Sequence, residues 1–132
     1  MEWKLTIKGI HWGSNRVAPD WNDKLAAHNR HYQKGAKIER DFILVCVNFI
    51  RLNLRGCKIT NPVRITYTHY EADMRRDLGN IAFIDKPFCD ALQKAGVLPN
   101  DNLAYIRSIH HEFGGIDKAN PRIEILIEEL TK

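Results

Sequence analysis

Four segments of the chain alternate apolar and polar residues with the two-residue period that is typical of half-buried β-strands. In the first segment Trp3, Leu5 and Ile7 fall on one side, and lysines and a threonine fall on the other. The other three segments alternate in the same way and carry β-branched or aromatic residues. The pattern predicts strands at residues 3–10, 63–70, 103–112 and 122–129.

Two further segments repeat apolar residues every three or four positions, which is the period of an amphipathic helix. The first segment, residues 35–54, includes Ile38, Phe42 and Cys46 and ends before Gly56. Because glycine commonly follows the last turn of a helix, the pattern predicts a helix over residues 35–54.

The second predicted helix contains Phe88 and ends at Gly96, in a position that favours a left-handed glycine cap. Pro87 leaves two alternatives for its start, because proline is tolerated in the first turn of a helix but kinks the interior. Either the helix begins at Asp85, or it begins near Asn80 and kinks at the proline.

The segment between the first strand and the first helix, residues 11–34, has few periodic apolar positions, so it predicts a long loop or a ragged helix entry. The resulting order of elements predicts an α/β (α+β) fold with a single mixed four-stranded sheet packed against two main helices. The first helix is expected to cross between strands one and two. A length of 132 residues suits a single domain spanning residues 1–132.

Composition and charge narrow the class of protein. With 44% hydrophobic and 27% charged residues the chain is typical of a folded globular protein and not of a disordered one. No apolar run approaches the roughly 18 residues of a membrane span, and the N-terminus lacks a signal-peptide pattern, so we expect a cytoplasmic protein without a membrane partner. Three cysteines without paired spacing argue against a disulfide framework and a zinc site. The net charge of +4 favours a polyanionic partner without requiring one.

Acids and bases are densest in residues 71–80, at the junction between the second strand and the second helix. Cleavage of a phosphodiester with Mg²⁺ needs carboxylates near the ion and cations that hold the polyanion, and Asp77 with Arg75 and Arg76 has that chemistry. A second acid is Asp101, which begins strand three and is expected to lie beside the end of strand two. On pattern alone, a solvated charged loop is the favoured alternative. The neighbouring histidines at positions 110 and 111 lack zinc-ligand spacing and are expected to be structural.

Residues 75–102, RRDLGNIAFIDKPFCDALQKAGVLPNDN, resemble the signature region of the RusA-type Holliday junction resolvases, especially their phage-borne relatives. The family pattern is an arginine-rich approach, D-x-D-N, a helix lysine, D-A-L, an A-G-V turn and an acid at the start of a strand. Residues 28–41 and 120–129 are similar to the family's basic N-terminal segment and final strand. The resemblance therefore covers most of the chain from His28 onward.

The resemblance implies a homodimeric endonuclease that binds branched DNA, specifically four-way junctions, and nicks two opposed strands with Mg²⁺, or with Mn²⁺ as the alternative ion. It also implies the cytoplasm of a bacterium or of a phage-infected host cell. Position by position, Asp77 matches the first acid of D-x-D-N and Asn80 matches its asparagine. Lys86 matches the helix lysine, Asp90 the acid of D-A-L, and Asp101 the acid after the A-G-V turn.

The predicted site follows from this match. We expect Asp77, Asp101 and Lys86 to be catalytic, and Asp77 and Asp101 to hold the metal ion, with Asp85 and Asp90 as further candidate ligands. The expected DNA-binding residues are mostly basic: Arg75, Arg76, Lys34, Lys37, Arg30, Arg40 and Asn80.

Gly79 departs from the family pattern, because it stands where the family has its second catalytic aspartate. Loss of that carboxylate removes one metal ligand and is expected to weaken metal binding. Asp85, Asp73 or Glu71 are candidate replacements. The alternative function is a protein that binds junctions or other branched DNA with weak or no catalysis.

Overall fold

The computed structural model describes residues 1–131, in which the four predicted strands form one mixed sheet. The strands are β1 (Glu2–Lys8), β2 (Val63–Glu71), β3 (Ile106–Ile116) and β4 (Arg122–Glu129). Their order across the sheet is β1–β4–β2–β3. β4 runs antiparallel to both of its neighbours, whereas β2 and β3 are parallel. The predicted fold class, a mixed four-stranded sheet with helices, is confirmed.

The helices are α1 (Trp21–Arg30), α2 (Tyr32–Asn53), α3 (Leu78–Ile81) and α4 (Asp85–Lys94). A 3₁₀ turn, Ala82–Ile84, joins α3 to α4. The chain thus has three longer helices, where the sequence predicted two main ones, and the additional helix, α1, packs against α2. α2 agrees with the predicted helix over 35–54, apart from an earlier start.

The helix α1 corrects the prediction of a loop or ragged entry over residues 11–34. It has no buried residue, so its apolar periodicity is weak. Its start is fixed instead by a capping box, in which Asp20 and Asp23 each accept a hydrogen bond from the other's backbone N–H. Gly35 then lets α2 approach α1 closely, since a Cβ there would lie 3.0 Å from the Cβ of His28.

The start of α4 settles the alternatives that Pro87 left open. The helix begins at Asp85, so the proline stands in its first turn, where its missing N–H is tolerated. The chain between Leu78 and Ile84 is helical but belongs to α3 and the 3₁₀ turn. Gly96 has φ +78° after the last turn, as the cap pattern predicts.

The core lies between the sheet and the helices. Along β2 the buried residues are Val63, Ile65, Tyr67 and His69, which alternate with half-buried ones. The same alternation in β4 buries three isoleucines on the helix side. No helix within residues 1–131 is long and apolar enough to cross a membrane.

Candidate functional site

Two carboxylates from the segment between α3 and β3 lie near each other. Asp90 projects from α4, and Asp101 comes from the loop that precedes β3. The pKa of Asp90 is raised by partial burial, by a hydrogen bond with Asp101, and by the negative charge of Asp101. Lys86, one helical turn before Asp90, lowers that pKa, and Glu39 of α2 raises it further. Asp90 therefore lies close enough to Asp101 and to Lys86 for both residues to affect its pKa.

This pair has the composition of a small Mg²⁺ site. Mg²⁺ is bound in proteins by one or two carboxylates, with water and substrate phosphates as the remaining ligands. Burial raises the pKa of Asp90 most, and a divalent cation would offset the further rise that the charge of Asp101 causes. Over residues 1–131 no group of three or more His, Cys, Asp or Glu side chains is arranged to hold a metal ion. The donor set thus fits an ion that takes most of its ligands from water or from a bound phosphate, and not one held by the protein alone.

Asp77 is not part of the Asp90–Asp101 pair. It caps α3, where its Oδ1 accepts a hydrogen bond from the backbone N–H of Asn80 and its Oδ2 accepts one from that residue's side-chain amide. Because β2 and β3 are parallel, with Val63 opposite Ile106, the beginning of β3 lies beside the beginning of β2. The expectation that Asp101 lies beside the end of β2, near Asp77, is therefore corrected by the topology of the sheet.

Gly79 has neither a left-handed backbone nor a crowded environment. It is absent from the glycines with positive φ in residues 1–131, and a Cβ built on it would lie 3.5 Å from Oδ1 of Asp77, an ordinary contact. An aspartate at this position would bring its carboxylate next to Asp77 and not to the Asp90–Asp101 pair.

Asp85 faces the other side of α4 and belongs to a hydrogen-bonded chain that enters the core. Its Oδ1 lies 2.8 Å from Nε2 of His111, and Nδ1 of His111 lies 2.8 Å from Nε2 of His69. The ring of Tyr67 stacks on His111 at 4.6 Å between centroids. With Asp85 ionised, His111 donates to Asp85 and accepts from His69, which fixes one tautomer for each ring. Asp85, a candidate metal ligand from the sequence, thus has one oxygen already bound to a histidine.

His69 is the buried end of this chain. Only 1% of its surface is exposed. Burial, and then the charges of His111 and Arg76, lower its pKa from 6.5 to about 3. His69 is therefore neutral at any ordinary pH and serves as a fixed hydrogen-bond donor. His111 is hydrogen-bonded on both ring nitrogens, which agrees with the expected structural histidine. The role of His69 was missed, although its place on the apolar side of β2 signalled burial.

The two arginines after β2 have different environments. Arg76 is buried: its guanidinium donates two hydrogen bonds to Glu71, at 2.8 and 3.0 Å, and one to the carbonyl of Ala18. It also lies 3.7 Å from Asp20, which ties the start of α1 to the end of β2. Arg75 is exposed and only loosely paired, 3.9 Å from Asp73. Of the two predicted DNA contacts, only Arg75 is accessible.

The other basic residues that were predicted to bind DNA lie in the last turn of α1 and the first half of α2. They are exposed at Arg30, Lys34, Lys37 and Arg40. Lys37 pairs with Asp41. Lys34 and Lys37 also line a groove of about 470 Å³, together with the apolar residues Trp12 and Phe42. Arg30, Lys34, Lys37 and Arg40 together form what we call the α1–α2 basic surface.

Comparison with known proteins adds no assignment. No protein-family model matches the chain, and no curated protein sequence is significantly similar to it.

Proposed function

We propose that the chain is a structure-selective DNA endonuclease that binds four-way junctions as a homodimer and resolves them by Mg²⁺-dependent paired nicks. The observation that carries the proposal is the placement of Asp90 and Asp101 near each other and near Lys86, on α4 and in the loop before β3. The resemblance of residues 75–102 to the RusA-type resolvases supports the same chemistry, since all three residues match positions of that family pattern.

The pair Asp90–Asp101 would hold the ion, and Asp101 brings the loop before β3 into the site. When bound, Mg²⁺ supplies charge that stabilises a phosphodiester under attack and lowers the pKa of a bound water. Lys86 stands within one turn of Asp90 and is placed to neutralise charge on the phosphate. The residue takes its position from α4, whose first turn is fixed by Pro87 and by the bond from Asp85 to His111.

DNA would be held by exposed cations. Arg75 follows β2, and the α1–α2 basic surface adds a second set of positive charges. Contacts of this type bind phosphates and position the duplex without reading its sequence. Arg76 is left out of this set because its guanidinium is occupied by two acids and a carbonyl.

The homodimer follows from the reaction. Resolving a four-way junction requires two symmetric cuts, and each chain offers one Asp90–Asp101 pair. A two-fold dimer supplies two equivalent sites in the required symmetry.

A second candidate function is binding of branched DNA with weak or no cleavage. It is favoured by Gly79, which removes the carboxylate expected in the family pattern, and by the lack of a three-ligand group over residues 1–131.

One experiment separates the two candidates. A gel-shift titration compares a synthetic four-way junction with a linear duplex of the same arm sequence, and Mg²⁺ is then added and the strands are analysed on a denaturing gel. The endonuclease predicts preferential junction binding followed by paired nicks in opposed strands. Preferential binding without nicks supports the second candidate, and equal weak binding to both DNAs refutes both.

A further inference from the structure

The strand β3 forms one edge of the sheet and is left without a neighbour on its outer side within the described chain. It is 11 residues long. An exposed edge presents a row of unpaired backbone N–H and C=O groups, and proteins commonly protect such edges with charged residues. The opposite edge, β1, follows that rule, because Lys4 and Lys8 are exposed along it. β3 also carries exposed charges, at Arg107 and Glu112, but it differs from β1 in having large apolar side chains that are exposed as well.

Apolar side chains are exposed along β3 and beside it. Ile109 and Phe113 are 39% and 48% exposed, and Ile116 is exposed as well. Met74 and Leu78, from the segment after β2, are also exposed and line one small cavity together with Phe113. These five exposed apolar residues lie along or beside the open strand edge, interrupted on β3 by His111, and we call them the β3 edge strip.

We infer that the β3 edge strip is covered by β3 of a second copy of this chain, which pairs antiparallel about a two-fold axis at His111 and joins two sheets into one of eight strands. The inference deepens the homodimer of the proposed function by naming its surface and register. The inference rests on the proposed function only for the reason why a dimer is needed. The evidence for self-pairing itself is the open strand edge and its side chains.

The register follows from which face each residue occupies. In the ladder with β2, Ile109 lies opposite Ile65, and Phe113 lies opposite His69, both on the buried side of the sheet. His110 and Glu112 lie opposite threonines of β2, on the open side. In an antiparallel pair, directly opposed residues share a face, so the axis must pass through a residue and not between two.

An axis at His111 gives self-complementary pairs on both faces. On the helix side, Ile109 lies opposite the second copy's Phe113, so apolar meets apolar. On the open side, His110 lies opposite the second copy's Glu112, so a histidine meets an acid. An axis at His110 would instead set Ile109 opposite the second copy's His111. Aromatic–aliphatic pairs stabilise neighbouring strands, and the imidazole of His110 can donate a hydrogen bond to the carboxylate of Glu112.

This pairing has a consequence for the site. A two-fold axis perpendicular to the sheet keeps the helices of both copies on the same face of the joined sheet. Asp85, at the start of α4, is bonded to His111 and therefore lies next to the axis. The two α4 helices, each with Lys86 and Asp90, then flank the axis on one face, which is the arrangement that two symmetric cuts require.

The first test is sedimentation velocity of the full chain at micromolar concentration, without DNA. The wild-type chain is expected to sediment as a dimer, and Ile109→Lys and Phe113→Lys as monomers with unchanged far-UV circular dichroism. Leu52→Lys is the matched control, because Leu52 is an exposed leucine on α2, away from β3, and its substitution should leave the dimer intact. A wild-type monomer overturns the inference. A dimer that both lysine variants leave intact also overturns it, while the homodimer of the proposed function stands.

The second test does not depend on those variants folding. In a Cys57→Ser background, chains carrying His110→Cys and Glu112→Cys are mixed and oxidised, and disulfide-linked dimers are counted on a non-reducing gel. Directly opposed residues of two strands lie within the Cα separation that a disulfide spans. The axis at His111 predicts that the mixture cross-links at least about tenfold faster than either chain alone. Faster cross-linking of His110→Cys with itself would overturn this register, and no cross-linking in any combination would overturn the surface. Neither test uses cleavage as its readout, so failure here is distinct from failure of the endonuclease.

Discussion

Acidification below the ordinary titration range of histidine is expected to destabilise the fold, because His69 cannot accept a proton where it lies. Its ring is buried against Tyr67, and its Nε2 is bonded to His111. A second proton would place a charge in the core, next to His111 and near Arg76. The folded chain therefore keeps His69 neutral, whereas the unfolded chain binds a proton at ordinary pKa.

The sign and size of the effect follow from linkage. The pKa of His69 is 6.5 in the absence of the fold and about 3 within it. Between these values the unfolded state binds more protons than the folded state, so the free energy of unfolding falls as the pH falls. Well above pH 6.5, where His69 is neutral in both states, it contributes nothing to the pH dependence. At pH 5 the loss is about 2 kcal/mol, and the limit reached below pH 3 is about 5 kcal/mol, at 1.36 kcal/mol per pKa unit.

Urea unfolding at pH 7.5 and pH 5.0 measures this loss. The matched control is His69→Gln, whose side-chain amide can donate to His111 but does not titrate. His111, Asp85 and Arg76 face the same cluster in both chains, so their contributions cancel in the comparison. The wild-type chain should lose about 2 kcal/mol more than His69→Gln between the two pH values. Equal losses in both chains would refute the reasoning.

Three further predictions follow from the site and its surroundings. Arg76→Ala should lower the free energy of unfolding by about 3–5 kcal/mol in urea titrations, because it leaves buried carboxylates without their ion-pair partner. Arg75→Ala should change the free energy of unfolding by less than about 0.5 kcal/mol. Similar losses in both variants would contradict the buried and exposed environments of the two arginines. Lys34→Ala and Arg75→Ala should each reduce the slope of log affinity against log salt for junction DNA by about 0.9, and an unchanged slope removes that residue from the interface. Gly79→Asp should fold as stably as Gly79→Ala to within about 1 kcal/mol, since this glycine needs no left-handed backbone. A larger loss for the aspartate would show that a second acid beside Asp77 is not tolerated.

The sequence predicted the sheet well because strand alternation is a local property. The three isoleucines of β4 and the alternation of β2 are visible without knowing any partner strand. The helix α1 was not predicted because it buries no residue, so its sequence shows no apolar period. The acid pattern at Asp20 and Asp23 was the signal that could have found it.

The site was harder to predict because it depends on strand direction. The same motif residues are compatible with Asp101 beside the end or the beginning of β2, and only the parallel pairing of β2 with β3 decides between them. The two adjacent arginines look alike in sequence, yet Arg76 is buried by contacts with Ala18 and Asp20, more than fifty residues earlier in the chain. Long-range contacts of this kind leave no local pattern.

The central claim is that DNA is cleaved at the Asp90–Asp101 pair, and the most direct measurement compares two single substitutions. Mg²⁺-dependent nicking of a synthetic four-way junction is measured for Asp101→Asn and for Asp77→Asn, whose asparagine can still cap α3. The account predicts that Asp101→Asn lowers the rate at least about 100-fold, the upper end of losses caused by residues that merely orient metal ligands. Asp77→Asn should retain most of the activity. The opposite pattern, with Asp101→Asn active and Asp77→Asn inactive, would contradict the account.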